Sequence, residues 1–120
     1  MTRMLFHCSH GRDDPERATV PFIAANVAAA SGQEAVVLLT IEGAWLCKRG
    51  YADSVEAEGF PRLAELLASF VEAGGQIWGC SACITARGIT EPDLIPGSQI
   101  VGAATIVAAV ADGAIPVALG

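Results

Sequence analysis

Two cysteines three residues apart form the most reactive pattern in this chain: Cys80-Ser81-Ala82-Cys83, directly after Gly79. A thiol reacts as its thiolate. A cysteine placed where a strand turns into a helix meets free backbone N–H groups and the positive end of the helix dipole, and both favour the anion. Cys80 falls at such a junction, because Gln76–Gly79 reads as a short strand and Ser81–Arg87 as one short helix closed by Gly88. Gly79 permits a tight turn and the close approach of a substrate. Cys83 shares a helix face with Cys80, within reach for a disulfide or for passing on a bound sulfur. Both residues also have a plainer reading as small core side chains.

Arg87 lies about two turns beyond Cys80, too far along the axis to neutralise its thiolate. It is expected at the negative end of the short helix or across a subunit contact, with a solvated arginine as the plain alternative. The run His7-Cys8-Ser9-His10, joined by Cys80 and Cys83, offers a Cys/His set of the kind zinc takes. The paired spacing of zinc sites is absent, however, and His7 and Cys8 should point to opposite faces of a strand. No metal or other cofactor is therefore expected. His10 is instead a candidate proton carrier for the Cys80 site, with Cys8 beside it, while His7 satisfies itself near the core. Cys47 sits among Trp45, Lys48 and Arg49, which line a neighbouring wall of the pocket or pack at a subunit interface; the interface is the preferred reading. Gly-x-Gly-x-x-Gly, Walker, Gly-x-Ser-x-Gly and His-Glu-x-x-His patterns are all missing, which leaves dinucleotide, nucleotide, esterase and zincin readings without support.

The elements that must position these residues alternate regularly. Arg3–Ser9 reads as a first strand and Glu34–Ile41 as a second, with Val36-Val37-Leu38-Leu39 apolar enough for burial on both faces. Asp14 and Pro15 open a helix that should kink at Pro21 and run on to about Ser31. Glu42–Gly59 is a mixed functional loop or short helix. After Pro61, Leu63, Leu66, Leu67, Phe70 and Val71 draw one apolar stripe that ends at Gly74-Gly75. Gln99–Val101 and Ile115–Leu119 complete five strands, with a helix over Ala103–Ala111 between them. Such alternation predicts a single domain over 1–120: a three-layer α/β/α sandwich around a five-stranded, mostly parallel sheet. In such sheets ligands bind beyond the carboxyl ends of the strands, where Cys8–Asp14, Glu42–Gly50 and Cys80–Cys83 all fall.

Composition narrows the partners. Apolar residues make up 52% and charged residues only 17% of the chain, so part of the surface is expected to be covered by further copies of it. The net charge of −6 speaks against nucleic acid, and Lys48-Arg49 is the one place where two basic residues adjoin. No apolar run is long enough to span a bilayer and no secretory signal is seen, so the expected setting is the cytoplasm, where four cysteines are read as chemistry before bridges.

Ile77-Trp78-Gly79-Cys80-Ser81-Ala82-Cys83-Ile84-Thr85-Ala86-Arg87-Gly88-Ile89 resembles the Cys-x-x-Cys-x-x-Ala-Arg-Gly segment of the DsrE/DsrF-like (YchN-like) family. Asp14-Pro15-Glu16-Arg17-Ala18, the loop with Lys48, Arg49 and Gly50, and Asp93-Leu94-Ile95-Pro96-Gly97 extend the resemblance over nearly the whole chain. It implies an α/β/α domain assembled into homotrimers or hexamers. It also implies that a cysteine at the position of Cys80 carries persulfide sulfur between donor and acceptor proteins, with Cys83 auxiliary. The sequence thus points first to a sulfurtransferase-like carrier, and second to a thiol–disulfide redox protein using Cys80 and Cys83. A third possibility is a non-enzymatic oligomer binding a small ligand or metal through Cys8, His10, Cys80 and Cys83.

Overall fold

The computed structural model describes residues 2–119; Met1 and Gly120, the two ends of the expected domain, lie outside them. Five strands, β1 (Arg3–Cys8), β2 (Glu34–Leu39), β3 (Gln76–Cys80), β4 (Ser98–Val101) and β5 (Ile115–Ala118), form one sheet in the order β4-β3-β2-β1-β5. Every pairing is parallel, so all five carboxyl ends lie along one edge. Cys8 pairs with Leu39, and Leu39 with Gly79. The loops that follow β1, β2 and β3 therefore leave the sheet from a single row.

Four α-helices cover the sheet: α1 (Pro15–Ala30), α2 (Leu63–Glu72), α3 (Ser81–Ala86) and α4 (Ala103–Ala111). Alternation along the strands sends side chains to both faces. Phe6, Val37, Leu39 and Ile77 meet Phe22 of α1, Leu63 and Phe70 of α2 and Ile84 of α3. Leu5, Val36, Leu38, Trp78 and Val101 meet Ala109 of α4 on the other face. This burial on both sides is what continuous apolar strands require.

α1 starts where Asp14 accepts the Arg17 N–H at 3.1 Å and pairs with the Arg17 guanidinium at 2.7 Å. The break expected at Pro21 does not occur; α1 is continuous from Pro15 to Ala30, with Pro21 itself buried. One lost backbone hydrogen bond is outweighed here by the burial of Phe22, Ala25 and Ala28 and by the cap. The Asn26 side-chain amide donates to the carbonyls of Phe22 and Leu66, both at 2.8 Å, locking α1 to α2. The Phe22 and Phe70 rings meet edge-on, 6.2 Å apart.

The two faces are not equally covered. Among the described residues α4 is the one helix packed on its side and it has no charged residue, yet Val107 is 67% and Val110 42% exposed, and Ile115 of β5 is 50% exposed. Between β2 and α2 the long loop condenses into two 3₁₀ turns, Ile41–Cys47 and Tyr51–Ser54. No helix among the described residues is long and apolar enough to cross a membrane.

Candidate functional site

Cys80 ends β3 and caps α3, with φ −64° and ψ 121°, so its side chain leaves an extended backbone just as helical N–H groups become free. The backbone N–H of Cys83 is the main influence that holds its thiol below the ordinary thiol range. Slight burial opposes that influence, and the Cys83 thiol and the Ala82 N–H reinforce it. The two cysteines are thus unlike partners. Cys80 accepts hydrogen bonds as the anion, and Cys83 donates one to it through its own thiol.

Cys83 is itself held from outside the helix. The Ile41 N–H donates to the Cys83 Sγ at 3.1 Å. To do so Ile41 adopts φ +54°, a left-handed conformation rare for a β-branched side chain and costing on the order of 1–3 kcal/mol. Next to it, Glu42 pairs with Arg87 at 2.8 Å, and Arg87 also donates to the Cys83 carbonyl at 3.2 Å. The 3₁₀ turn after β2 is therefore clamped to α3 at a sulfur and at an ion pair. A glycine makes this approach feasible: a Cβ on Gly43 would run into the Cys8 carbonyl oxygen at the end of β1.

The sequence candidates separate clearly in this geometry. Arg87 sits at the carboxyl end of α3, as its position suggests, but its carboxylate partner lies within the same chain. Gly79 is buried, and a Cβ there would lie 2.8 Å from the Cys47 Sγ and 3.1 Å from the Ile84 side chain. The close approach it permits is to the core and not to a substrate. Cys47 is completely buried behind it, which removes both readings offered for this thiol, pocket wall and subunit interface. Burial pushes its pKa up to about 12.

Cys8 is likewise a core residue, 1% exposed, with its thiol directed at the carbonyls of His10 and Ala18. Burial raises its pKa to about 11. His10 is held by Asp13 at 2.8 Å, and His7, on the opposite face, meets the Thr40 hydroxyl at 2.6 Å. Neither histidine hydrogen-bonds to Cys80 or Cys83, so the proposed proton carrier is not in contact with the thiolate. Among the described residues no three Cys, His, Asp or Glu side chains converge on a point that could hold a metal, and the set Cys8, His10, Cys80, Cys83 is not assembled.

Lys48 faces elsewhere. With Arg12, Arg49, Glu42, Trp45 and Tyr51 it lines an open cleft of about 650 Å³ that Cys80 does not enter. Glu42 is shared between this cleft and the clamp on α3. The Ile41–Cys83 and Glu42–Arg87 contacts have no signature in the sequence, since their partners lie 42 and 45 residues apart.

An all-parallel sheet with helices around it defines a small α/β protein, and its cysteine pair stands at the carboxyl edge of the third strand. The model of the DsrE/DsrF-like family matches residues 2–115, and the chain belongs to that family. It is 33% identical over 95 residues to the uncharacterized protein MJ0760 of Methanocaldococcus jannaschii, a match that takes in 79% of this chain and 34% of that protein, so the chain spans about a third of that relative's length. It is 32% identical over 85 residues to the uncharacterized protein MK0008 of Methanopyrus kandleri, covering 71% of this chain and 67% of that one. Two solved structures share the fold across 99% of this chain and 100% of theirs. They are MTH1491 from Methanobacterium thermoautotrophicum (TM-score 0.78, 20% identity) and YchN from Escherichia coli (TM-score 0.81, 14% identity).

Proposed function

We propose that the protein is a cytoplasmic sulfane-sulfur carrier in which Cys80 holds the cargo as a persulfide. The observation that carries this reading is the position of Cys80 at the end of β3 and the mouth of α3, where the Cys83 N–H first, with the Cys83 thiol and the Ala82 N–H, lowers its pKa. Membership of a family associated with sulfur relay supports it. In the loading step the Cys80 thiolate attacks the outer sulfur of a donor persulfide, R–S–SH. The donor S–S bond breaks, a new S–S bond forms on Cys80, and R–S⁻ leaves with the electron pair. Unloading is the same reaction with an acceptor thiolate attacking the outer sulfur, which returns Cys80 as the thiolate. The N–H groups that stabilise the thiolate also suit the persulfide anion.

Cys83 gives this reading a second outlet. Its sulfur, whose side-chain hydrogen bond helps to lower the Cys80 pKa, can attack the inner sulfur of the persulfide, releasing HS⁻ and leaving a Cys80–Cys83 disulfide that an external dithiol must reduce. The same contact favours a thiol–disulfide protein as the second reading. The apolar outer surface of α4 fits association with further copies of the chain, as a trimer or hexamer.

Mass spectrometry after incubation with glutathione persulfide tests the carrier. One added sulfur on Cys80, absent in Cys80→Ser and retained in Cys83→Ser, is expected. An exposed, reduced Cys80 that takes up no sulfur would refute it. Redox cycling that needs both cysteines, without sulfur uptake, would favour the second reading.

A further inference from the structure

The cations of this acidic chain are distributed in an unusual way. Arg3, Arg17, Arg62 and Arg87 each pair with a carboxylate at 2.7–3.5 Å. Among the described residues the remaining three, Arg12, Lys48 and Arg49, make no ion pair, and these three line one cleft. The carboxylate on its wall, Glu42, is already neutralised by Arg87. Asp93 feels the charge of Lys48 without forming an ion pair with it, and its Oδ2 accepts from both the Thr90 N–H and hydroxyl. Three like charges brought to one cleft repel each other, and among the described residues none of the three is paired directly with a carboxylate.

Two of the charges are held in place. The Arg12 guanidinium lies 4.4 Å above the Tyr51 ring, and its Nε donates to the Ser54 hydroxyl at 2.6 Å. Among the described residues its two terminal NH₂ groups make no hydrogen bond. The Lys48 ammonium lies 5.8 Å from the Trp45 ring, which is stacked on Tyr51 with 13° between the planes. The aromatic pair therefore serves as a mount for cations, and cation–π contact leaves their outward N–H donors unspent. Rings already occupied by cations are poor platforms for a nucleobase. Donors from two arginines and a lysine lining one cleft suit a compact tetrahedral oxyanion, which an arginine fork can grip through two oxygens.

We propose that this cleft binds a phosphate group, either the free ion or a small phosphate monoester, at a site separate from Cys80. The test is calorimetric titration of the full-length protein with inorganic phosphate and, in a second arm, with glycerol 3-phosphate. Saturable binding is expected, with one site per chain, and it should weaken as salt is added. Lys48→Gln with Arg49→Gln should lower affinity at least 10-fold. Arg12→Lys, which keeps the charge and loses the fork, should also weaken it, while Arg62→Gln, outside the cleft, should bind as wild type. Tighter binding of the ester than of the ion assigns the site to a phosphorylated small molecule, and the reverse assigns it to the free ion. Binding that is absent for both anions, or unchanged in the double variant, would overturn the proposal. So would capture of an oligoglutamate peptide at concentrations where neither phosphate binds, because the cleft would then belong to an acidic protein segment. None of these readouts depends on sulfur loading at Cys80, so this proposal and the carrier reading can fail independently.

Discussion

The four cysteines of this chain fall into two pairs that differ in everything but their side chain. Cys8 and Cys47 lie in the core beneath α1 and the 3₁₀ turn, surrounded by apolar groups that resist ionisation. Cys80 and Cys83 lie a few residues away in the fold, where a strand end and a helix start leave N–H groups pointing outward. Desolvation rules Cys8 and Cys47, and hydrogen bonding rules Cys80. The proposed reactivity thus belongs to the junction, and the core pair serves as an internal control for it.

The largest expected effect is on labelling. Iodoacetamide on the native protein should modify Cys80 first, with Cys8 and Cys47 slower by a factor on the order of 10³ or more, because they react only through opening of the core. Mass mapping of the alkylated sites measures this. Comparable rates for all four would erase the distinction between the pairs.

Alkaline stability should show the same contrast with opposite signs. Unfolded thiols ionise near about 8.5, whereas folded Cys8 and Cys47 keep their protons to about 11 and about 12. Above about pH 8.5 the unfolded state holds fewer protons than the native one, so stability should fall by about 1.4 kcal/mol per pH unit for each buried thiol. Cys80, whose folded pKa is depressed, acts the other way. Its contribution is fully present above the unfolded pKa and is lost as pH falls through the folded value. Urea denaturation midpoints across this range, in wild type and in Cys8→Ala and Cys47→Ala, separate the contributions; a slope unchanged by either substitution would contradict them.

Gly79 is where the two pairs meet. Gly79→Ala would drive a methyl group toward the Cys47 sulfur and Ile84, and should cost roughly 1–3 kcal/mol by overpacking. Adding Cys47→Ala should recover part of that loss, which thermal denaturation of the single and double variants can show. Equal losses in both would mean that the sulfur is not the obstacle.

The smallest effect belongs to the clamp. Glu42→Gln and Arg87→Gln should each cost about 0.5–1 kcal/mol, because their ion pair is partly exposed. A double-mutant cycle with no coupling energy would remove Glu42 from the account of α3.

The junction was legible in the sequence because each of its signals is local. The strand-like run before Gly79, the Cys-x-x-Cys spacing and Gly88 after the helix place Cys80 at a strand end without reference to the rest of the fold. The parallel sheet and its helices were readable for the same reason, from apolar runs and a 3.6-residue stripe. Pro21 misled as a point of interruption, since the burial that carries α1 through it is a tertiary effect. Cys8 and Cys47 stood in polar-looking surroundings along the chain, yet folding turns both inward. The Glu42–Arg87 pair, the strained Ile41 and the Arg12–Tyr51 contact depend on how the β1, β2 and β3 loops meet over one row of strand ends. No local spacing encodes that meeting.

The most direct test is the pH dependence of Cys80 alkylation in the native protein, followed by mass spectrometry, alongside Cys83→Ala. A midpoint below about 8.5, the value of a free thiol, is expected for wild type, with a smaller depression once the Cys83 thiol no longer donates to Cys80. A Cys80 midpoint at or above that value would contradict the thiolate on which the carrier chemistry rests.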